Sequence, residues 1–235
     1  MKLLNLFLQY KEYYIEGAKI TLQLSAISLI MGIGLGSILS LLKLSKSKLL
    51  SGFSSIYIEL VRGTPMMVQI AIVYYGSFVL TGINISAFIA SVIAVSLNSA
   101  AYVAEIFRSG IQSIDKGQWE AAKSLGLTEG QTMKHIIMPQ AIKNILPALG
   151  NEFVTLIKET SVASTIGVTD LMFNSNIVLS TSYVPFYPLL IVGIIYFILT
   201  YSLSQLVRLL EKKLSHSQAK EVKGAKNKTL VGGAK

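Results

Sequence analysis

An all-α membrane protein with five transmembrane helices, N-terminus out and C-terminus in, is the fold class this sequence predicts, on three observations. Of 235 residues, 52% are hydrophobic and only 14% charged, against about 25% charged in a typical soluble domain. The apolar residues are gathered into uncharged runs long enough to cross a bilayer, and lysines and arginines cluster at alternate ends of those runs. Net charge is +9, and in a membrane protein such an excess is first a signal of which loops stay in the cytoplasm. That reading leaves no reason to invoke nucleic acid. There is no cysteine, which excludes disulfides, thiolate metal sites and cysteine nucleophiles. His135 and His216 have no acidic or histidine neighbour at a ligand spacing, so no metal site is expected.

Taken in order, residues 1–17 read as an amphipathic interfacial segment: Leu3, Leu4, Leu6, Phe7 and Leu8 precede the aromatic, charged group Tyr10 to Tyr14. No small-residue cleavage site precedes the first span, so that span is expected to stay in the mature chain. Ile20 to Leu42 is free of charge for 23 residues, enough at 1.5 Å per residue to cross a core of about 30 Å. Lys43, Lys46 and Lys48 follow and put this end inside. Gly63 to Ala104 is uncharged over 42 residues, the length of two spans, with a turn at Thr81-Gly82-Ile83-Asn84. The first of these two can begin as early as Ser54, which brings Glu59 and Arg62 onto one helical face, with a kink expected at Pro65. Asn144 to Ile157 is a fourth, broken span, because Pro147, Gly150 and Glu152 suit a cavity lining better than a lipid-facing helix. Asn174 to Tyr183 is expected as an external loop. Val184 to Val207 forms the last span of 24 uncharged residues, closed on the inside by Arg208, Lys212 and Lys213. Residues 18–210 are thus the transmembrane domain, and residues 211–235 a basic cytoplasmic tail, expected to be disordered and attracted to anionic lipid.

Between the third and fourth spans lies a basic loop at about residues 112–140. Asp115 can cap a short helix through Ala122, Gly126 permits the left-handed turn that ends it, and Thr128 can cap a second helix through His135, with Pro139 stopping it or opening the next. Two short helices at an angle make a knob, suited to a groove on a soluble partner. Within the loop, Gln118-Trp119-Glu120-Ala121-Ala122 is followed by Leu125, Gly126, Ile136 and Pro139 at spacings that resemble the cytoplasmic signature of ATP-binding-cassette importer permeases. That pattern is Glu-Ala-Ala, three residues, Gly, nine residues, Ile, any residue, Leu-Pro, and it is departed from only by Met138 in place of Leu. Three further segments resemble the polar amino-acid uptake family of such permeases: Glu59 to Gln69, Leu97 to Glu105, and Asn151-Glu152-Phe153 with Lys158 to Ser161.

The resemblance covers about Gly17 to Leu210 and implies a type I importer permease fold in a bacterial cytoplasmic membrane. It implies that Gln118, Trp119, Glu120, Ala121, Ala122, Leu125 and Gly126 meet the ATPase. It also implies the partners: two ATP-binding-cassette subunits, a second permease that is an identical copy or a homologue, and an extracytoplasmic amino-acid-binding protein. ATP and Mg then belong to the partner ATPase. This chain has no Gly-x-x-x-x-Gly-Lys-Ser/Thr phosphate loop and is not read as an enzyme, nor as binding a cofactor or metal.

A zwitterionic substrate needs an acceptor for its ammonium and donors for its carboxylate. The candidates are Arg62, Gly63, Thr64, Pro65 and Gln69 in the second span, Asn98 and Tyr102 in the third, and Glu152, Thr155, Lys158 and Ser161 in the fourth. A carboxylate at membrane depth costs about 2.5–3.5 kcal/mol on insertion scales, so Glu152 either faces a cavity or pairs with Lys158 or Arg62. Arg62 either clamps a substrate carboxylate or pairs with Glu59; Gln69 and Tyr102 either line the pathway or pack between helices. If Glu152 faces the pathway, a cationic substrate such as arginine, lysine or histidine is favoured. If a cation neutralises it, glutamine suits better, and glutamate and cystine are also within the family's range. An ion-coupled secondary transporter would account for the spans and buried charges but not for the signature loop, and a structural anchor would leave Glu152, Arg62 and Asp170 without a reason for their cost. The lysine distribution carries a direct test: a cysteine at Asn84 or Asn176 reacts with an impermeant thiol reagent from outside, and one at Gln131 only from inside. Labelling of Gln131 from outside rejects the orientation.

Overall fold

The computed structural model describes residues 2–232, with side chains from residue 2 to residue 214. The described residues form helices and no strand: α1 Lys2–Gln9, α2 Lys11–Lys43, α3 Lys48–Arg62, α4 Met66–Thr81, α5 Ala87–Gln112, α6 Lys116–Ser124, α7 Glu129–Thr132, α8 Met138–Glu159, α9 Leu171–Ser182 and α10 Phe186–Gly232. A π-helical turn, Met133–Ile137, joins α7 to α8, and a 3₁₀ segment, Thr160–Ile166, extends α8. Among them α2, α5 and Phe186–Leu214 of α10 are each long and apolar enough to cross a membrane, and two bent pairs bring the total to as many as five. Helix α10 continues to Gly232 along the stretch where an unordered basic tail is expected; the side chains of residues 215–235 lie outside the described ones.

The centre of the fold is the contact of α2 with α5. Lipid is as apolar as leucine, so helices in a bilayer associate by close backbone packing rather than by escape from water. Gly32 and Gly36 provide it: a Cβ on Gly32 would stand 2.8 Å from Ser99 Oγ, and one on Gly36 2.7 Å from the Ala100 carbonyl. Leu24, Ile70, Ala94, Val95 and Leu156 are buried together beside this contact and tie in α4 and α8. Gly150 has the same use on α8, where a Cβ would come within 2.6 Å of Val207 on α10.

Both bent pairs depart from the sequence expectation. The kink expected at Pro65 is a complete break: α3 ends at Arg62, α4 starts at Met66, and the two helices meet at 103°. Proline has no N–H to continue the ladder and disfavours helical geometry at the residue before it. Two turn-forming residues precede it here, Gly63 and Thr64. The expected external loop at 174–183 is instead α9, bent 54° from the helix before it. Gly167, at φ 93°, makes the turn, and Asp170 caps α9 by accepting the Phe173 N–H at 2.8 Å. Two of the polar residues that suggested a loop, Asn174 and Ser175, are buried, and Asn174 packs where α9 crosses α2 at Gly17. Asn176 is exposed on α9. Tyr183, in left-handed geometry, ends the helix, so the loop into α10 is short.

The interfacial segment divides at Tyr10. Only Lys2–Gln9 forms α1; Lys11 to Gly17 are the first turns of α2, and Tyr14 is buried, stacked on Phe7 with ring centroids 6.0 Å apart.

Glycine packing at the α2–α5 contact carries a prediction. Gly36→Ala drives a methyl into the Ala100 backbone and lowers stability by about 1–3 kcal/mol, whereas Gly34→Ala, with nothing within 4 Å, is neutral or gains up to about 1 kcal/mol in helix propensity. Thermal unfolding of the two detergent-solubilised variants checks the contrast; equal midpoints would show that the close approach does not limit stability.

Candidate functional site

The end of α3, the C-terminal half of α5 and the middle of α8 form an open cavity of about 340 Å³ lined by Arg62, Tyr102, Glu105, Asn151, Glu152 and Thr155, among others. Four of the sequence candidates, Arg62, Tyr102, Glu152 and Thr155, therefore meet in one place although they lie on three separate helices.

Each is held differently. Glu152 is only 9% exposed and accepts a hydrogen bond from Ser99 Oγ at 3.0 Å. Among the described residues neither Lys158 nor Arg62 forms an ion pair with it, so neither expected partner is realised. Arg62 does not pair with Glu59 either: its guanidinium lies over the Tyr102 ring, 5.2 Å from the centroid, a cation–π contact that leaves the donors at its edge free. Glu105 also reaches the cavity, but its carboxylate is engaged by Lys43 from α2 and by Arg108, whose Nη2 lies at 2.8 Å. Thr155 donates back to the Asn151 carbonyl at 3.1 Å.

The remaining candidates lie elsewhere. Lys158 and Ser161 sit at the end of α8 and the start of the 3₁₀ segment, where the Ser161 hydroxyl donates to the Lys158 carbonyl at 2.6 Å; neither lines the cavity. Gly63 ends α3, and a Cβ there would meet the Glu59 carbonyl at 2.9 Å. Thr64 and Pro65 form the break itself. Gln69 and Asn98 are bonded to each other, Asn98 Nδ2 donating to Gln69 Oε1 at 3.0 Å. Sequence reasoning missed Ser99, Asn151 and the Lys43–Glu105–Arg108 group. A serine following Asn98 in an uncharged span was a usable signal for the first. Nothing local marked Lys43, 62 residues from Glu105, as its partner.

In the loop between α5 and α8, Asp115 caps α6 by accepting from Gly117 N, Gly126 turns the chain at φ 77°, and Thr128 and Gln131 form a capping box at α7. The second helix does not stop at His135. It passes through the π-helical turn into α8, with Pro139 in the first turn of α8, where a missing N–H matters least. Residues 118, 121 and 125 recur at helical spacing on the exposed side, Leu125 being 80% exposed. Glu120 and Gly126 are also exposed. Ala122 is 1% exposed and lies on the side packed against the protein. Half-buried Trp119 joins Ile111, Ile137, Ala141 and Ile145 in the cluster that seats this loop.

Comparison with known proteins places this architecture in a class, the membrane-embedded permeases of binding-protein-dependent importers. The chain belongs to the family of binding-protein-dependent transport system inner membrane components, whose model matches residues 32–216. It is 44% identical over 202 residues to a Rickettsia bellii protein (strain RML369-C) named "Putative glutamine transport system permease protein GlnP", covering 86% of this chain and 93% of that one. It is also 44% identical to the arginine transport system permease protein ArtQ of Bacillus subtilis (strain 168), covering 86% and 92%. A crystal structure of an amino acid ABC transporter with histidines superposes with a TM-score of 0.85 at 44% identity, covering 88% of this chain and 96% of that one. The chain is therefore an amino-acid ABC importer permease, a multi-pass membrane protein of type I importer fold.

The outward and inward faces of α6 separate two effects. Leu125→Glu is expected to leave folding and assembly of the membrane domain intact, and, if this exposed face meets an ATPase subunit, to lower stimulation of that subunit about tenfold, the scale of a lost interface anchor. Ala122→Glu buries an unpaired charge and costs the fold itself several kcal/mol. Detergent thermal unfolding and ATPase measurements on reconstituted complexes check both; full stimulation in Leu125→Glu removes that face from the contact.

Proposed function

We propose that this chain forms the translocation pathway of an ATP-driven importer of polar amino acids, with cationic side chains preferred. It takes its substrate from an extracytoplasmic binding protein and works with a second permease subunit. Two ATPase subunits, which hold ATP and Mg, dock on the exposed face of α6 around Gln118, Ala121 and Leu125. The five spans then run with the N-terminus outside, which puts α6 and α7 in the cytoplasm.

The observation that carries the reading is the cavity that unites Arg62 on Tyr102 with a Glu152 to which, among the described residues, no cation is paired. Arg62 offers edge donors in the fork geometry that suits a carboxylate, and Glu152 an acceptor for a cation in a region of low dielectric, where the attraction exceeds that in water. An α-amino acid carries both charges. A second positive group on the substrate gains from Glu152, whereas a second carboxylate is repelled by it. Glutamine is the alternative, favoured by the name of the Rickettsia relative and by the balance of one cation and one free carboxylate in the cavity.

Uptake by the complex reconstituted in liposomes tests this. In competition, arginine, lysine and histidine outrank glutamine, and glutamate ranks last. Glu152→Gln keeps the Ser99 hydrogen bond and assembly, and raises the half-saturating arginine concentration about tenfold, on the scale of a lost charge-assisted bond. A smaller rise for glutamine ties Glu152 to the side chain; an equal rise ties it to the ammonium. Unchanged arginine uptake in that variant, or glutamate outcompeting arginine in the wild type, rejects the charge argument.

A further inference from the structure

The break at Gly63-Thr64-Pro65 leaves a specific vacancy in the hydrogen-bond ladder. In an uninterrupted helix the Val61 carbonyl would accept from the N–H of residue 65, which is proline and has none. The Thr64 N–H reaches Val61 O only at 3.5 Å. What fills the vacancy is a side chain: Gln69 Nε2 donates to Val61 O at 2.7 Å, and lies 3.1 Å from the Thr64 carbonyl and 2.8 Å from Thr64 Oγ1. The amide is oriented in turn by α5, since Asn98 Nδ2 donates to Gln69 Oε1 at 3.0 Å. Asn98 is 4% exposed, and neither it nor Gln69 lines the Arg62–Glu152 cavity.

Asn98 and Tyr102 stand four residues apart on α5, one above the other on the same face. The first holds the Val61 end of α3 through Gln69, and the second carries the guanidinium of Arg62, the next residue along. We infer that Gln69, oriented by Asn98, is a positioning residue that fixes the last turn of α3 so that Arg62 lies on Tyr102 at the cavity wall. It acts on substrate through Arg62 and touches none itself. This rests on the reading of Arg62 as part of the amino-acid pathway.

The test is a cycle of Gln69→Met, Arg62→Ala and the double variant, in the complex with its ATPase subunits and binding protein in liposomes, read by uptake of radiolabelled L-arginine and L-glutamine. Met matches Gln in length and lacks the donors. Gln69→Met is expected to raise the half-saturating concentration about tenfold with maximal rate within about twofold, and to add less than about twofold on top of Arg62→Ala. Effects that multiply in the double variant show that Gln69 acts independently of Arg62 and overturn the inference. So does an unaltered Gln69→Met beside an impaired Arg62→Ala, which leaves the pathway reading standing. An unaltered Arg62→Ala overturns the pathway reading and the positioning role together. If Gln69→Met fails to assemble, Asn98→Ala decides: it keeps the Gln69 bonds to Val61 and Thr64 and frees only the orientation of the amide. An arginine half-saturation raised several-fold in Asn98→Ala supports the inference, and a wild-type value overturns it.

Discussion

Everything in this fold depends on one constraint: within a bilayer no water is at hand for an exposed backbone N–H or C=O, so each interruption of a helix must bring its own partners. The chain is bent at a break within two helix pairs that together are apolar enough to span, and side chains bond across both breaks. At Pro65 the donor is Gln69, held by Asn98 of α5. Between α8 and α9 the partners come from α2, where Thr21 Oγ1 accepts the Leu171 N–H at 3.1 Å and Ser25 stands 3.3 Å from Thr160. Asn174 adds a bond to the Thr169 carbonyl at 3.2 Å. Polar residues that hydropathy counts against a span are thus what make a broken span tolerable. A break closed in this way leaves a space between helices, and the Arg62–Glu152 cavity lies beside the first.

Close packing by small residues supports the same arrangement. Because Gly32 and Gly36 let α2 lie against α5 at the level of Ser99 to Val103, Ser99 is held where it can donate to Glu152 on α8. A buried carboxylate that has, among the described residues, a single side-chain donor and no paired cation retains acceptor capacity. In a purely structural site that capacity would be a cost without return; in a site that receives a cation it is the means of recognition. Glu105 makes the contrast within the same cavity, since Lys43 and Arg108 already satisfy it.

How far the sequence discloses this depends on whether the determinant is local. Uncharged runs, lysine clusters, the Asp115 and Thr128 caps and the Gly126 turn are properties of short stretches, and the structure has them where the sequence places them. Arg62, Tyr102, Glu152 and Thr155 were identified as candidates by residue type and depth, and they share a cavity. The partners of those residues were not legible. Glu59 and Arg62 lie at a pairing distance in sequence, yet a break immediately after Arg62 turns its side chain toward α5. Asn174 and Ser175 read as loop because polarity was taken for exposure, although both are buried and α2 presents Gly17 to Asn174. Gln69 and Asn98 read as pathway residues because an amide in an apolar helix invites a ligand; in the structure Gln69 bonds the backbone beside Pro65 and Asn98 bonds Gln69. Ala122 belongs with these. Its small side chain suits a docking face as well as a buried one, and only the burial separates them.

The turn between α2 and α3 joins the two halves of the functional reading. Lys43 at its start holds Glu105 at the cavity, and Lys46, three residues on, pairs with Glu129 at the first turn of α7 at 2.8 Å. The second pair is exposed at both ends, so solvent screening leaves it little to contribute to stability. The first is partly shielded and shares its carboxylate with Arg108. A displacement of the α6–α7 knob by a docked partner would therefore pull on the turn through a weak, easily broken link, while the stronger link keeps the turn attached to α5. A more direct connection to the cavity runs along α8 itself, because α7, the π-helical turn and α8 are one continuous helical path from Glu129 to Glu152.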